Sequence, residues 1–195
     1  MSVFLSMAAF ALASSISPGP VNIVALSAGA RHGLRASLRH VGGATVGFTA
    51  LLILIGLGLH GLLAQWPWLT RAIQWAGVAF LLFMAYKLAA DRGSLHTDAD
   101  AVAPGYFTGA LMQWLNPKAW LASVAGMGAF ATDGDLWQVC QFALIYFVVC
   151  YLSLGCWAYA GTCLQHHLQE PGQVRLFNRS LAALLAASAL YLLLA

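Results

Sequence analysis

Six long apolar runs organise the chain, at residues 3–28, 41–63, 69–90, 104–130, 136–161 and 177–195, and each is free of charge or nearly so. Apolar positions within them do not alternate with polar ones. Stretches such as 50–59 and 181–195 are almost unbroken, whereas the strands of a membrane barrel show about ten residues of alternating polarity. Helix is therefore the predicted element throughout. At about 1.5 Å of rise per residue, each run reaches across a hydrocarbon core of about 30 Å. The first run has no basic segment ahead of it and no small-residue cleavage site behind it, so it reads as a span and not as a signal peptide.

The most polar stretch, DRGSLHTDADAVAP at 91–104, reads as a flexible linker. It divides the chain into a first three-helix repeat (1–90), a linker (91–103) and a second three-helix repeat (104–195). An odd number of spans per half turns the second half upside down relative to the first, which is the architecture of inverted-topology repeats. Weak internal similarity agrees. Pro18 and Pro117 lie 99 residues apart, each near the middle of its span, and Thr70-Arg71 and Asn178-Arg179 open the third and sixth spans. The predicted fold is an all-α polytopic membrane protein: six transmembrane helices as two inverted three-helix repeats, with helices 1 and 4 broken.

Composition narrows the class. Hydrophobic residues make up 61% of the chain and charged ones 8%, against about 45–50% and about 25% in soluble domains. That excludes an ordinary cytosolic enzyme and a disordered chain. A net charge of +3 is too small for a phosphate-binding surface, so no nucleic-acid partner is expected. The charge that exists is one-sided. Arg31, Arg35, Arg39, Lys87, Arg92, Arg175 and Arg179 fall in the odd loops, and only Arg71 in an even one. The positive-inside rule then puts the odd loops and the linker in the cytoplasm and both termini outside. Trp66, Trp68 and Trp137 would mark the outer headgroup level and Trp157 the inner one.

Candidate chemistry sits at the two mid-span prolines. Proline breaks a helix, and a broken helix persists in lipid only where it faces protein or a cavity. Ser17 and Asn116 suit the N-cap, and Pro18 and Pro117 the first helical position. Each motif, Ser17-Pro18-Gly19-Pro20 and Asn116-Pro117-Lys118, can end one half-helix and start another. A half-helix start exposes free N–H groups and about half a positive charge, which attracts a carboxylate. Lys118 is the only charged residue deep inside a span, and an intramembrane charge is a functional candidate by default. The alternative is structural: its ammonium would bond carbonyls freed by the break. Asn22 and Gln113 lie close in sequence to the two breaks. Each would bond a substrate amine or hydroxyl, or act as glue between helices.

At these residues the chain resembles the lysine-exporter (LysE/RhtB) family of amino-acid exporters. SPGPVNIVALSAGARHG in span one and NPKAW in span four carry the resemblance, which runs over the whole chain. It implies six helices, homodimers and export of amino acids or derivatives. Pro18, Gly19, Pro20, Asn22, Asn116, Pro117 and Lys118 match the family's motifs. Many members have an Asp after the glycine of span two, where this chain has Gly47-Phe48. VGFT there, QWAGVAFLLFMAYKLAA in span three and CWAYAG in span five look like the cysteine/O-acetylserine exporter branch.

Other chemistries find little purchase. All six acids, Asp91, Asp98, Asp100, Asp133, Asp135 and Glu170, lie outside the spans, so an intramembrane carboxylate relay is absent. Cys140, Cys150, Cys156 and Cys163 form no C-x-x-C and read as small apolar residues. His166-His167 lacks a cysteine or acid at metal-ligand spacing. No hydrolase motif is visible, and no cofactor is expected. Gly43/Gly47 and Gly105/Gly109 form G-x-x-x-G pairs, read as packing within one subunit ahead of dimer packing. The reading is a secondary exporter of small amino acids or derivatives in a bacterial inner membrane. The partners are the substrate, membrane lipid and a second copy. The alternative is a non-transport scaffold or partner subunit whose breaks are structural.

Overall fold

Proline sets most of the helix starts. In the computed structural model, which describes residues 2–59, 65–90, 103–131, 135–165 and 170–194, seven helices follow in order. They are α1 (Val3–Ile16), α2 (Pro20–Leu54, continued by a π-helical turn Ile55–Leu59), α3 (Pro67–Ala89), α4 (Tyr106–Trp114), α5 (Pro117–Phe130), α6 (Leu136–Gln165) and α7 (Pro171–Leu194). Four of them open on a proline, whose missing N–H is no loss at the first helical position. The start of α6 is held by Asp135, which accepts from the Trp137 N–H at 3.0 Å and complements the helix dipole. Among the described residues there is no strand. His60, His96, His166-His167, the linker at 91–102 and the acids Asp91, Asp98, Asp100 and Asp133 lie outside the described residues.

The helices follow the six apolar runs, with one clear difference. Residues 31–39 were expected as a loop between the first two spans. They are helical instead, on either side of a kink at one residue, Gly33, at φ 75° and ψ 170°. Only glycine adopts that backbone without strain. The Ser37 hydroxyl donates to the Gly33 carbonyl at 2.8 Å and ties off the new helix start. His40 is fully buried inside this second stretch of α2.

α2 is the axis of the molecule. Its first stretch crosses α6 and its second crosses α4, both at glycine. A methyl on Gly29 would overlap the Ala158 carbonyl, and one on Gly161 the Leu26 carbonyl. Methyls on Gly43 and Gly109 would overlap the Tyr106 and His40 carbonyls, and Gly47 lies against Ala110. The expected G-x-x-x-G packing is therefore intramolecular for Gly43, Gly47 and Gly109, whereas a Cβ on Gly105 would meet open space. Small residues let backbones approach where lipid supplies no hydrophobic drive to association. The main core gathers Met7, Phe48, Leu51, Met112, Phe142 and Tyr146 from α1, α2, α4 and α6. α3 and α7 form a separate pair through Val78, Leu81, Leu181 and Leu185, which meets the main bundle at Ile23 and Leu26 of α2.

The outside is apolar. Phe107, Tyr86, Trp68, Trp137 and Leu144 are each at least two-thirds exposed, a surface that water would not tolerate. Residues 20–59 and 136–164 are long and apolar enough to cross a membrane, and 3–16 and 74–89 are shorter apolar helices.

Two glycines of α6 respond oppositely to the same change. Gly155 has open space where a Cβ would go, so Gly155→Ala stabilises, by about 0.5–1 kcal/mol from helix propensity. Gly161→Ala drives a methyl into backbone and destabilises, by about 1–3 kcal/mol for overpacking. Thermal unfolding in detergent reads both; equal shifts would mean that α2 and α6 do not touch at Gly161.

Candidate functional site

Both expected breaks are present. α1 stops at Ile16 and α2 starts at Pro20; α4 stops at Trp114 and α5 starts at Pro117. The residue before a proline avoids the helical region. Ser17 is accordingly extended (φ −63°, ψ 140°), as is Gly19 (φ −168°, ψ 174°). Two such residues, one before each proline, postpone the new helix to Pro20, with Gly19 as its N-cap. This corrects the expectation that Ser17 caps and Pro18 opens it: Ser17 instead closes α1. At the second break the expectation is met, with Asn116 as N-cap and Pro117 first.

The freed carbonyls of the first break are all answered by side chains. The Ser17 hydroxyl donates to the Ser14 carbonyl at 3.2 Å. Asn22 Nδ2 donates to Ser15 at 2.8 Å, and the Trp157 indole to Ile16 at 3.0 Å. Lys118 Nζ donates to the Ser17 carbonyl at 2.6 Å, to Ser17 Oγ at 2.8 Å and to the Pro18 carbonyl at 3.2 Å. Trp157 thus spends its N–H at the break and not on headgroups. The second break uses the same device once: the Trp120 indole donates to the Trp114 carbonyl at 2.8 Å.

The two half-helix starts differ. Asn116 Oδ1 accepts from the Lys118 N–H at 3.1 Å, and the Asn116 carbonyl takes the Ala119 N–H at 2.9 Å. The start of α5 is therefore closed, against the expectation of free N–H groups there. The start of α2 has no side-chain cap and stays open. Lys118 holds its positive charge on three neutral oxygens. Among the described residues no carboxylate pairs with it, and all six acids lie outside the apolar runs.

Lys118 stands between two cavities. One, of about 30 Å³, is polar: Ser14, Ser15, Asn22, Gln113, Asn116, Lys118, Tyr146 and Cys150 line it, with Phe48 among the apolar walls. It has room for a water or two. The other, of about 570 Å³, lies between Pro18, Gly19, Pro20 and Ile23 on one side, Asn116, Pro117, Lys118 and Leu121 on another, and Leu81, Leu184, Ala187 and Ser188 of the α3–α7 pair. That volume is in the range of about 300–1,000 Å³ usual for small-molecule sites. The nine residues singled out in sequence come together here: Ser17 through its bonds to Lys118, the other eight as cavity lining. Ser14, Ser15, Phe48, Tyr146 and Cys150 were not singled out as site residues. Phe48 stacks on Tyr146 with ring centroids 4.2 Å apart. Their depth in the apolar runs gave no local cue.

Comparison with known proteins identifies the family. The family model of the LysE type translocator matches residues 12–195. The chain belongs to that family. Its LysE-type relatives include a cysteine/O-acetylserine efflux protein of Klebsiella pneumoniae, 31% identical over 95% of this chain and 92% of that protein. Proteins of the same name in Salmonella choleraesuis and Escherichia coli are each 28% identical over 90% of both chains. No solved structure matches significantly. Membership in the LysE translocators makes the chain a membrane transport protein and not an enzyme.

The capped break gives a stability prediction. Trp120→Phe keeps the ring and removes the donor to Trp114, leaving a carbonyl unsatisfied, which costs about 1–3 kcal/mol. Trp75→Phe, on an exposed ring, leaves the melting temperature unchanged. Equal effects would remove the indole from its capping role.

Proposed function

We propose that this chain exports small neutral amino acids or their derivatives, of the cysteine/O-acetylserine kind, across the bacterial inner membrane. The observation that carries the proposal is Lys118: a cation deep in an apolar run, without a carboxylate partner among the described residues, on the wall of a cavity large enough for an amino acid. A substrate carboxylate supplies the missing counter-charge, and the open start of α2 adds its dipole. The names of the relatives point to the same substrates.

In this reading six spans form two inverted repeats, 1–90 and 104–195, joined by a cytoplasmic linker at 91–103, with both termini outside. The two broken spans meet at the substrate. Rocking of one half against the other opens the site to each side in turn. The working assembly is a homodimer, as the family resemblance implies. Ser17, Pro18, Gly19, Pro20, Asn22, Gln113, Asn116, Pro117 and Lys118 form the substrate site.

A scaffold reading has one observation in its favour, the ammonium of Lys118 lying on the carbonyls of Ser17 and Pro18. The adjoining cavities favour transport. Efflux of labelled cysteine, O-acetylserine and a panel of amino acids from preloaded proteoliposomes separates the two. The native protein is expected to release one of these classes, and Lys118→Ala to fall to the rate of empty vesicles while remaining folded. Unchanged efflux by Lys118→Ala would end the assigned role. Reporter fusions test the orientation: an enzyme active only outside the cytoplasm is expected to work at both termini.

A further inference from the structure

The acceptors around Lys118 describe a second kind of group as well as they describe lysine. A primary ammonium has three N–H donors and no acceptor. Nζ of Lys118 finds three oxygens, the Ser17 carbonyl, Ser17 Oγ and the Pro18 carbonyl, at 2.6, 2.8 and 3.2 Å. All three are neutral and come from residues between α1 and α2, outside any helix. The α-ammonium of an amino acid carries the same three donors, also on a tetrahedral carbon. Gly19 keeps the approach narrow: a Cβ there would stand 3.2 Å from both Cδ and Nζ of Lys118.

We propose that, without substrate, the Lys118 ammonium occupies the seat of the substrate's own α-ammonium, and that an amino acid binds by exchanging one cation for the other. The inference rests on the transport reading above and adds the amine half of recognition to it. The substrate carboxylate draws the lysine ammonium off the break. The substrate ammonium takes the carbonyls of Ser17 and Pro18, which stay satisfied throughout. An ion pair with an acid of the chain would hold the lysine far more firmly than these dipoles do. No proton and no covalent bond changes hands.

Selectivity follows from the exchange. A zwitterion brings both the anion that releases the lysine and the cation that replaces it. An amine without a carboxylate competes with Lys118 for one seat and loses. A carboxylate without an amine takes the lysine and leaves the carbonyls bare, in surroundings where a bare carbonyl costs most. Removing the lysine reverses the order, because the seat is then vacant and the anion partner gone.

Binding to the purified full-length protein tests this with cysteine, cysteamine and 3-mercaptopropionate, which differ only in the two groups. The native protein is expected to bind cysteine at least about tenfold more tightly than either of the others. Lys118→Ala is expected to bind cysteine about tenfold more weakly than native and cysteamine about tenfold more tightly. Methylammonium, which matches only the end of the lysine, is expected to raise the melting temperature of Lys118→Ala and not of the native protein. Native protein that binds 3-mercaptopropionate as tightly as cysteine overturns the exchange even if no variant folds. So does a folded Lys118→Ala that gains nothing from cysteamine or methylammonium. If that happens while native efflux still depends on Lys118, the exchange fails and the transport reading stands. If methylammonium stabilises the variant while native vesicles release no amino acid, the seat stands and the transport reading fails.

Discussion

Backbone oxygens that lose their helix in a hydrocarbon have nowhere to turn but the protein, and that constraint arranges the centre of this molecule. From Ser14 to Pro18 five consecutive carbonyls leave the helical ladder, and five consecutive carbonyls find a side-chain donor. The donors come from the break itself, from α2, from α5 and from α6. Three helices are thereby pinned to one short extended segment. An unsatisfied group in lipid costs several kcal/mol, so the break specifies its neighbours as firmly as a packed core would. The Ser15 hydroxyl adds a tie to Ser153 on α6 at 2.9 Å.

The same constraint gives the intramembrane lysine a structural task. A charge in the membrane needs partners, and a broken helix needs donors; Lys118 and the Ser17-Pro18 segment meet both needs at once. Because those partners are dipoles, the arrangement satisfies hydrogen bonding and leaves the net charge unbalanced. Phe48 sharpens this. The position after Gly47 lines the same small cavity as Lys118 and holds an aromatic ring stacked on Tyr146, not an acid.

Much of this was legible in the sequence because the membrane simplifies the code. Long uncharged runs gave the helices, and a proline in mid-run gave each break. A lone lysine among apolar residues gave the centre of the site. What stayed hidden depends on contacts between distant residues. Nothing local announces that Trp157 reaches Ile16, 141 positions away, or that Cys150 and Tyr146 face the same cavity as Asn22. The Pro-Gly-Pro spacing was misread by two residues, because each proline restrains its predecessor and the second proline has the last word. The turn at Gly33 was hidden because a cluster of arginines looks like a loop whether the loop is long or a single residue. Gly29 and Gly161 form no short motif with each other, yet they make a contact of the same kind as the G-x-x-x-G glycines.

The glycine crossings divide the molecule by stiffness. At the glycine crossings of α2 with α4 and α6, backbone lies on backbone and no side chain stands between to change rotamer. Such a joint has no slack; it transmits displacement whole. The α3–α7 pair meets α2 through Ile23 and Leu26, side chains that yield by small torsions at little cost. The wide cavity opens along this compliant joint and not along the rigid ones. The space beside Lys118 therefore borders the joint that side-chain torsions can adjust, and not the crossings where backbone meets backbone.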